Sequence, residues 1–593
     1  MDDKKIRKGG SFLIEAVPPS EVFTPEDFGE EHRMISGTVE RFVKNEVMPQ
    51  AEKLEHKDFE LTRKLMQQAG ELGLLGVDIE DEYGGSKLDS IASLLITESS
   101  SKSGSFGVAL NCHTGIGSMP IVYFGSKAQK KKYLPGLAKG EKLGAYALTE
   151  PGAGTDALSL KTTAKLTPDG KYYVLNGTKQ FITNAAFADI IITYAKVDDK
   201  MTTFILERGF EGISIGPEEK KLGIRGSSTC SIFLDNVRVP AENVLFGVGK
   251  GHVVAFNILD LGRFKLAAAS VGAAKLTIET AVKYAKERVQ FNKPICQFGL
   301  IKHKLAEMAA KTYMTESMVY RTAGMVEQAL SQVDHSAEDA GKQSAKSIGE
   351  YAVECSINKI YGSEIMAYLA DEALQIHGGY GYVEEYLPEK IYRDTRITRI
   401  FEGTNEINRL IVTGWLLRKA LKNEIPLFPA AEEVKGKLSS MGAIASSPED
   451  GPLGYQTKIV ERAKKIFLYL SGAAAQKYGM GIEEEQEILG LLADIAIEIY
   501  AMESGLLRAL KAIGSVGEKE SKTKIQMVQL YVNDAIVRIR DWAQQVMVAI
   551  ESPDTLASQL AVLNKISQFM PVNGIQLRRE IADRVIEAEG YAC

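Results

Sequence analysis

The segment RIFEGTNEINRL, from Arg399 to Leu410, contains a carboxylate in a position where it could act on a ligand. Glu402 follows two apolar residues and precedes Gly403, in a stretch that otherwise has helical spacing. One interpretation is a solvated charge at a helix end with glycine as the break, since most glutamates are exposed. The other is a general base held over something reactive. Other segments of the chain are needed to decide between these two interpretations of Glu402.

A second candidate is the glycine-rich segment YALTEPGAGTDA, from Tyr146 to Ala157. A Rossmann loop is disfavoured, because that motif needs a third glycine and a helix directly after it. Ala157 stands at the third position, and the following LSLKTTAKL alternates as a strand does. The glycines let a flat ligand approach backbone N–H groups, although a plain tight turn has the same composition.

Four further segments carry useful groups, each with a simpler structural explanation. KQFIT offers Phe181 and Thr183 on a strand, where an aromatic residue usually belongs to the core. DLGRF places Asp260 and Arg263 within one helical turn, which also suits a local ion pair. ERVQF ends a long helix, and QIHGGYGYV is a glycine-rich interruption in which His377 is more simply structural.

Composition and charge describe a globular protein of several domains. The chain has 593 residues, and its net charge of -6 argues against a surface that coats nucleic acid. Five cysteines without a CxxC pair favour a reducing compartment, and seven histidines without ligand spacing predict no metal. No apolar run reaches the roughly 18 residues of a membrane span. The N-terminus, with Asp2 and Asp3, is unlike a targeting segment, so we expect a cytoplasmic protein.

Periodicity divides the chain into parts that must position these groups. Helical spacing precedes a β-rich stretch, long helical patterns follow it, and NEIPLFP at 423–429 predicts a linker to further helices. A loop is predicted at 446–452. The predicted domains are an N-terminal α-helical domain at 25–140, a β-barrel-like domain at 141–245, a helical bundle at 246–422 and a C-terminal helical domain at 430–593.

The order of the motifs resembles the acyl-CoA dehydrogenase family over residues 25–422. The segment FGLIKHKLAEMAAKTYMTESM and the extra C-terminal region resemble its very-long-chain branch. The resemblance implies a mainly α fold with a small central β-barrel domain, FAD between the β-domain and the second helical domain, and a homodimer. It implies 2,3-desaturation of an acyl-CoA thioester in fatty-acid β-oxidation. A base removes the α-proton as hydride passes from the β-carbon to flavin N5, and electrons leave to an electron-transferring flavoprotein.

The resemblance assigns a role to each motif position. Glu402 matches the base, and the acyl-CoA contacts correspond to Thr155, Asp260, Arg263 and Gly403, with Asp260 and Arg263 holding the coenzyme A portion. The FAD contacts correspond to Tyr146, Leu148, Thr149, Thr155, Phe181, Ile182, Thr183, Arg288, Gln290, Phe291, Gln375, Gly379, Thr404 and Glu406. Those from the ERVQF and QIHGGYGYV motifs match groups that reach the FAD of the neighbouring subunit.

Two positions differ from residues that are common in the family. Phe181 stands where tryptophan is common, which keeps the stacking face and loses an indole N–H. Thr155 stands where serine is commoner, and the hydroxyl is retained. A subset of the family has its base at the position of Gly262, and glycine cannot abstract a proton.

A glutamate with an ordinary pKa, near 4.3, is a weak base for a thioester α-proton. A dry pocket raises the pKa of the base, and hydrogen bonds to the thioester oxygen stabilise the enolate-like charge. In the family those donors are the N–H of the catalytic glutamate and a ribityl hydroxyl of FAD. Gly403 then allows a turn tight enough to present both the carboxylate and the amide of Glu402.

Chain length and membrane contact are predicted from two further segments. GVALNCHTGIGSMP, at Gly107–Pro120, occupies the acyl tunnel of relatives, and its small residues Gly115 and Gly117 predict a long acyl chain. An apolar stripe beside basic residues favours packing against the protein, with a weak peripheral membrane contact as the alternative. The stripe consists of Ile459, Ala463, Ile466, Phe467 and Leu470.

Two other functions fit the same fold. An acyl-CoA oxidase would use the same base and pass its electrons to oxygen. A DNA-protecting flavoprotein would need a strongly basic C-terminal face, which EEEQE at 483–487 and the acidic balance disfavour.

Overall fold

The computed structural model describes residues 6–334, 337, 339–442, 444 and 451–593. The N-terminal features at Asp2 and Asp3, and residues 446–450 of the predicted loop, lie outside the described residues. A helical region with its own apolar core precedes the sheet. Its helices are α1 (Glu30–Phe42), α2 (Ala51–Glu55), α3 (Phe59–Glu71), α4 (Ser90–Ser101), α5 (Ser105–Asn111), α6 (Met119–Phe124) and α7 (Lys127–Ala138).

The β-rich segment forms one eight-stranded sheet in the order β6-β7-β3-β2-β4-β5-β8, with β1 pairing in parallel with β4. The strands are β1 (Gly144–Ala147), β2 (Thr163–Leu166), β3 (Tyr172–Thr183), β4 (Ile190–Val197), β5 (Lys200–Glu207), β6 (Ile213–Glu218), β7 (Thr229–Pro240) and β8 (Val244–Leu245). Within the described chain β6 and β8 are edges, so the expected barrel is not closed. β8 is too short to close it, because only two residues pair before the chain turns towards the next helix.

The second helical region carries most of the motifs. Its elements are α8 (Gly251–Glu287), β9 (Val289–Gln290), β10 (Lys293–Pro294), α9 (Gly299–Leu330), α10 (Ala340–Gly349), α11 (Ala352–His377), α12 (Leu387–Thr395) and α13 (Asn405–Leu421). α8 packs closely on α4, because a Cβ at Gly272 would lie 1.8 Å from the carbonyl oxygen of Glu98. Only glycine permits this approach, which fixes the helix that carries Asp260 and Arg263.

A C-terminal helical module completes the chain. Its helices are α14 (Leu427–Lys437), α15 (Gly454–Tyr478), α16 (Gln486–Val516), α17 (Lys522–Ile550), α18 (Pro553–Ile566) and α19 (Gly574–Glu587). The linker predicted at 423–429 is shorter than expected: α14 begins at Leu427, since a proline is tolerated in the first turn of a helix. Among the described residues, no helix is long and apolar enough to cross a membrane.

The apolar stripe of α15 lies in the core of the module. Each of its five residues is buried, so the stripe packs against neighbouring helices, as favoured above, and offers no apolar face to a membrane surface. The structure therefore agrees with the favoured packing and gives no support to the alternative, a peripheral membrane contact through this stripe.

Buried ion pairs join the module to the rest of the protein. Glu316 of α9 accepts from Lys275 of α8 at 2.5 Å and from Arg508 of α16 at 2.6 Å. The Tyr591 hydroxyl donates to the same carboxylate at 2.9 Å. Both oxygens of this buried glutamate are thus paired, as a buried charge requires.

Residues 6–28 form an N-terminal strap across the boundary between the module and the rest of the protein, which is called the body here. On the body, Lys419 Nζ donates to the Gly9 carbonyl at 3.0 Å. On the module, Arg508 Nε donates to the Glu26 carboxylate at 3.0 Å. The strap therefore bridges α13 of the second helical region and α16 of the module.

Candidate active site

Glu402 lies in a tight turn that joins the segment after α12 to α13. Glu402 and Gly403 both have left-handed backbones, with φ angles of 57° and 81°. Thr404 then caps α13, because its side chain accepts from the Ile407 N–H at 3.3 Å. The glycine confirms the predicted turn, whereas the left-handed glutamate was not predicted and costs on the order of 1–2 kcal/mol.

Three side chains hold this turn by donating to its carbonyl oxygens. Arg263 Nε donates to the Glu402 carbonyl at 3.1 Å. Lys359 Nζ and Asn408 Nδ2 donate to the Gly403 carbonyl at 2.7 and 2.8 Å. Hydrogen bonds from charged donors are the stronger kind, so this clamp offsets the strain of the turn.

The Glu402 carboxylate has no comparable partner. Its Oε2 atom is buried and accepts no hydrogen bond from any described residue. Burial raises the pKa of Glu402 to about 7, against the opposing effect of the Arg263 and Lys359 charges. Among the described residues its backbone N–H has no acceptor either. A carboxyl group that titrates near neutrality therefore stands beside a free N–H donor, as a general base would require.

The carboxylate lies directly over Gly262 of α8. A Cβ at Gly262 would be 2.6 Å from Glu402 Oε2 and 2.8 Å from Cδ. No side chain can therefore occupy position 262 while Glu402 keeps its place.

A cavity of about 300 Å³ starts at Glu402 and is lined mainly by apolar groups. One face of α8 lines it, at Gly262, Lys265, Leu266, Ala269, Ser270, Ala273 and Leu276. At a rise of 1.5 Å per residue, this face is about 21 Å long. Gly115 lines the cavity as predicted. Gly117 does not, because it faces Gly144 of β1, where a Cβ would lie 3.0 Å from the Gly144 carbonyl carbon.

The predicted flavin loop is held by a buried ion pair that the sequence did not reveal. Glu150 accepts from Lys179 Nζ at 2.7 Å and from the Lys161 N–H at 2.6 Å. The Thr149 carbonyl accepts from the Gln180 N–H at 2.9 Å, which ties the loop to β3. These bonds anchor the loop to its surroundings. The space beside its glycines is open, because a Cβ at Gly152 or Gly154 would have no atom within 4 Å.

The predicted flavin strand ends in an exposed aromatic face. Phe181 is 57% exposed with a left-handed φ of 59°, Ile182 is buried, and Thr183 lines the cavity. On β1, Tyr146 is buried with a hydroxyl that has no hydrogen-bond partner in the described chain. An open glycine loop, an exposed ring and an unused buried hydroxyl suit a flat ligand with polar edges. The residues present therefore fit a flavin.

The remaining predicted positions fall into a buried group and an exposed group. Leu148 is buried, Asp260 and Arg263 are buried and pair at 2.6 Å, and Thr149 and Thr404 are partly buried. Thr155, Arg288, Gln290, Phe291, Gln375, Gly379 and Glu406 are exposed.

The exposed positions that match contacts to a neighbouring subunit gather on one surface. Phe291, 88% exposed, is at the tip of the β9–β10 hairpin. The guanidinium of Arg288 lies 5.6 Å from the ring centre of Tyr380, in the glycine-rich turn that contains Gly379. One chain therefore brings the hairpin and the turn together on its surface, apart from the cavity.

Sequence reasoning missed the residues that support the base. Lys359 is a buried lysine in an apolar stretch of α11, and it also donates to Asn405 Oδ1 at 2.6 Å. Asn405 and Asn408 stand within the motif of the base, one helical turn apart. A lysine in a largely apolar stretch, with no acidic residue three or four positions away, was the available signal, because such a charge needs a partner from elsewhere when it is buried.

Comparison with known proteins identifies the family. Profiles of the acyl-CoA dehydrogenase N-terminal and middle domains match residues 29–141 and 145–237. Two profiles described as the acyl-CoA dehydrogenase C-terminal domain match residues 249–417 and 462–565.

Individual relatives agree with the profiles. A probable acyl-CoA dehydrogenase of Bacillus subtilis is 52% identical over 99% of this chain and 98% of its own. The human mitochondrial very long-chain specific acyl-CoA dehydrogenase is 38% identical over 79% of this chain and 73% of its own. The crystal structure of an acyl-CoA dehydrogenase complexed with FAD from Bacillus anthracis superposes with a TM-score of 0.97, at 50% identity, over 99% of this chain and 100% of its own.

The fold and the site together define an enzyme with an unpaired carboxylate beside a place for a flat cofactor. The chain belongs to the acyl-CoA dehydrogenase family. The resemblance seen in the sequence and its fold class are thereby confirmed, apart from the open sheet.

Proposed function

We propose that this protein is an FAD-dependent enzyme that desaturates long-chain acyl-CoA thioesters in fatty-acid β-oxidation and passes the electrons to an electron-transferring flavoprotein. The single observation that carries the proposal is the buried, unpaired carboxylate of Glu402 at one end of an apolar cavity about 21 Å long. Such a cavity suits an extended alkyl chain with its reacting carbons beside the base. FAD, when bound, supplies the acceptor for the hydride of the β-carbon.

The protein's own groups activate the substrate. With a pKa of about 7, Glu402 is partly ionised at neutral pH and can take the α-proton. The Glu402 N–H donates to the thioester oxygen, where negative charge develops as the proton leaves. Arg263 and Lys359 hold the turn so that the carboxylate and the N–H keep their relative positions.

The binding positions follow from the same proposal. The flavin would lie over Phe181 and Thr183, against the loop anchored by Glu150. We assign Asp260 and Arg263 to the coenzyme A end of the site, and the surface formed by the hairpin and the glycine-rich turn to the FAD of a second subunit in a homodimer. The five free cysteines are in keeping with the reducing compartment predicted from the sequence.

The test is an anaerobic titration of the purified holoenzyme with acyl-CoAs of graded length, followed by flavin absorbance. We expect palmitoyl-CoA to bleach the flavin rapidly and butyryl-CoA to do so poorly. Efficiency that peaks at butyryl-CoA and vanishes at palmitoyl-CoA would contradict the chain-length assignment. Stoichiometric peroxide release in air would favour the oxidase alternative, whereas reduction of a purified electron-transferring flavoprotein supports the proposed acceptor.

A further inference from the structure

Three segments run side by side away from Glu402 and form the walls of the cavity. They are the 262–276 face of α8, the segment from 401 back to 387, and the segment from 116 back to 101. Each begins beside the base and ends in the same distant region, so the cavity has a near end and a far end.

Contacts between the walls fix which residues lie at each end. Near the base, a Cβ on Gly115 would lie 3.6 Å from Cδ of Lys265, which is one helical turn from Gly262. At the far end, a Cβ on Gly104 would lie 3.6 Å from Lys390 Cε. Lys390 Nζ in turn donates to Glu55 at 2.6 Å, which places the end of α2 at the far end as well.

The solvent-exposed lining residues belong to this far end. Of the described residues that line the cavity, Met48 is 42% exposed, Leu387 is 37% exposed, and Ala51 is also exposed. The lining residues nearest the base, such as Cys112 and Gly115, are buried. The cavity thus reaches the protein surface between α2 and the first turn of α12. These three residues define what we call the distal mouth.

The distal mouth is bordered by charged groups, while the walls inside it are apolar. Lys390 pairs with Glu55, and Lys102 pairs with Glu40 at 2.7 Å. Leu266, Ala269 and Leu276 line the channel between this border and the base. A methylene chain would be desolvated along the walls, and a group beyond the mouth would meet water and polar side chains.

We propose that the ω-end of a long acyl chain leaves the protein through the distal mouth, so that the enzyme accepts acyl-CoAs with a bulky or polar ω-substituent. The inference rests on the proposed function, since the chain must start at Glu402. A channel closed at its far end would reject such substrates, because an extra ring or an unpaired hydroxyl would have to be buried.

The direct test uses the FAD-loaded Glu402→Gln variant, which is expected to bind substrate without turnover. A palmitoyl-CoA analogue that carries pyrene on its ω-carbon is bound, and iodide is added. Iodide should quench the bound pyrene nearly as strongly as the free analogue. Pyrene that binds but resists quenching would overturn the distal mouth, and so would failure of the analogue to displace bound palmitoyl-CoA.

Kinetics with the active holoenzyme give the second readout. We expect kcat/KM for a palmitoyl-CoA analogue with an ω-phenyl ring to stay within about fivefold of palmitoyl-CoA. Ala51→Trp places an indole in the mouth and should lower the ratio of kcat/KM for the phenyl analogue to that for octanoyl-CoA by about tenfold or more. Glu52→Trp adds the same ring one residue away, outside the lining, and should leave the ratio unchanged.

The outcomes separate the two proposals. If palmitoyl-CoA is oxidised well and the phenyl analogue is rejected about a hundredfold or more, the inference fails and the proposed function stands. An unchanged ratio in Ala51→Trp also overturns the inference. If neither substrate bleaches the flavin, the proposed function fails and the inference fails with it.

Discussion

Glu316, which is buried, and Glu402, whose Oε2 atom is buried, have pKa values that are shifted in opposite directions. At the boundary of the C-terminal module, burial alone would raise the pKa of Glu316, yet Lys275 and Arg508 hold it below its usual value. In the active site, burial raises the pKa of Glu402 to about 7.

The difference lies in what the neighbouring cations contact. Lys275 and Arg508 reach the carboxylate oxygens of Glu316 directly. Arg263 and Lys359 instead donate to the backbone carbonyls of the Glu402 turn and leave Oε2 bare. Cations that hold a turn from its backbone can fix a base in place without neutralising it. The paired Glu316 therefore suits a structural role, and the unpaired Glu402 suits the catalytic role proposed for it.

The largest expected effect comes from Glu402→Gln. The amide is isosteric and cannot accept the α-proton, so we expect flavin bleaching by palmitoyl-CoA to slow by about a thousandfold or more. Stopped-flow absorbance measures the rate, and the flavin spectrum shows that FAD is retained. Near-normal bleaching would remove Glu402 from the role of base.

Glu316→Gln should lower the stability of the fold, whereas Glu402→Gln lowers the rate of flavin bleaching. The change leaves Arg508 and Lys275 without part of their counter-charge, at a cost of about 3 kcal/mol. Because the pKa of Glu316 is lowered in the fold, its contribution is present above the unfolded pKa and is lost as pH falls through the folded value. Denaturant unfolding near neutral pH measures the loss. Glu433→Gln, at an exposed pair with Lys437, is the control and should change nothing measurable.

Glu402→Gln should raise the stability of the fold, whereas Glu316→Gln should lower it. Because the pKa of Glu402 is higher in the folded state than the ordinary value of 4.5, the folded state holds an extra proton between these pKa values. The stability that this raised pKa confers is lost as pH rises towards about 7. Removing the charge should therefore stabilise the apoprotein at alkaline pH by on the order of 3 kcal/mol. The difference should vanish near pH 4. Equal stability of both proteins at alkaline pH would mean that the carboxylate is solvated.

Gly262→Ala tests the space below the base. The new methyl group would lie within 3 Å of the Glu402 carboxylate and must displace it, so kcat should fall by about ten- to a hundredfold. Alanine favours helices by about 1 kcal/mol over glycine, so the thermal midpoint should not fall. Loss of activity together with loss of folding would point to general damage in α8 instead.

The smallest effects separate the charge of Lys359 from its hydrogen bond. Its charge lowers the pKa of Glu402, so both Lys359→Met and Lys359→Gln should move the acidic limb of the pH–rate profile to higher pH. The glutamine can still donate to the Gly403 carbonyl. Its rate on the alkaline plateau should therefore exceed that of the methionine variant by about threefold to tenfold. Identical profiles for the two variants would exclude a positioning role for this hydrogen bond.

Much of the fold was predictable because its signals are local. Helical spacing and β-rich runs with turn residues place the helices and the sheet, and the motif order gives the family. Closure of the sheet was not predictable in this way, since it depends on whether β6 and β8 meet. The start of α14 was missed because a proline reads as a break although the first helical turn accepts it.

The site was predictable where a motif carries it and not where distant segments meet. Glu402 and Gly403 stand in one motif, so the candidate base and its tight turn could be predicted together. The clamp needs Lys359 and Arg263, which are 44 and 139 residues from their carbonyl partners along the sequence.

 At these separations, neither pairing leaves a local sequence pattern. The bare Oε2 atom is likewise a property of the assembled pocket.

The N-terminal strap has a consequence for the order in which the protein can assemble on the ribosome. Glu26 is made early, yet its partner Arg508 is 482 residues later in the chain. At about 5–20 residues per second, roughly half a minute to a minute and a half of synthesis separates the two. The strap therefore completes its native contacts only after Arg508 has been made, and until then its apolar residues Phe12 and Leu13 have to be shielded by other means.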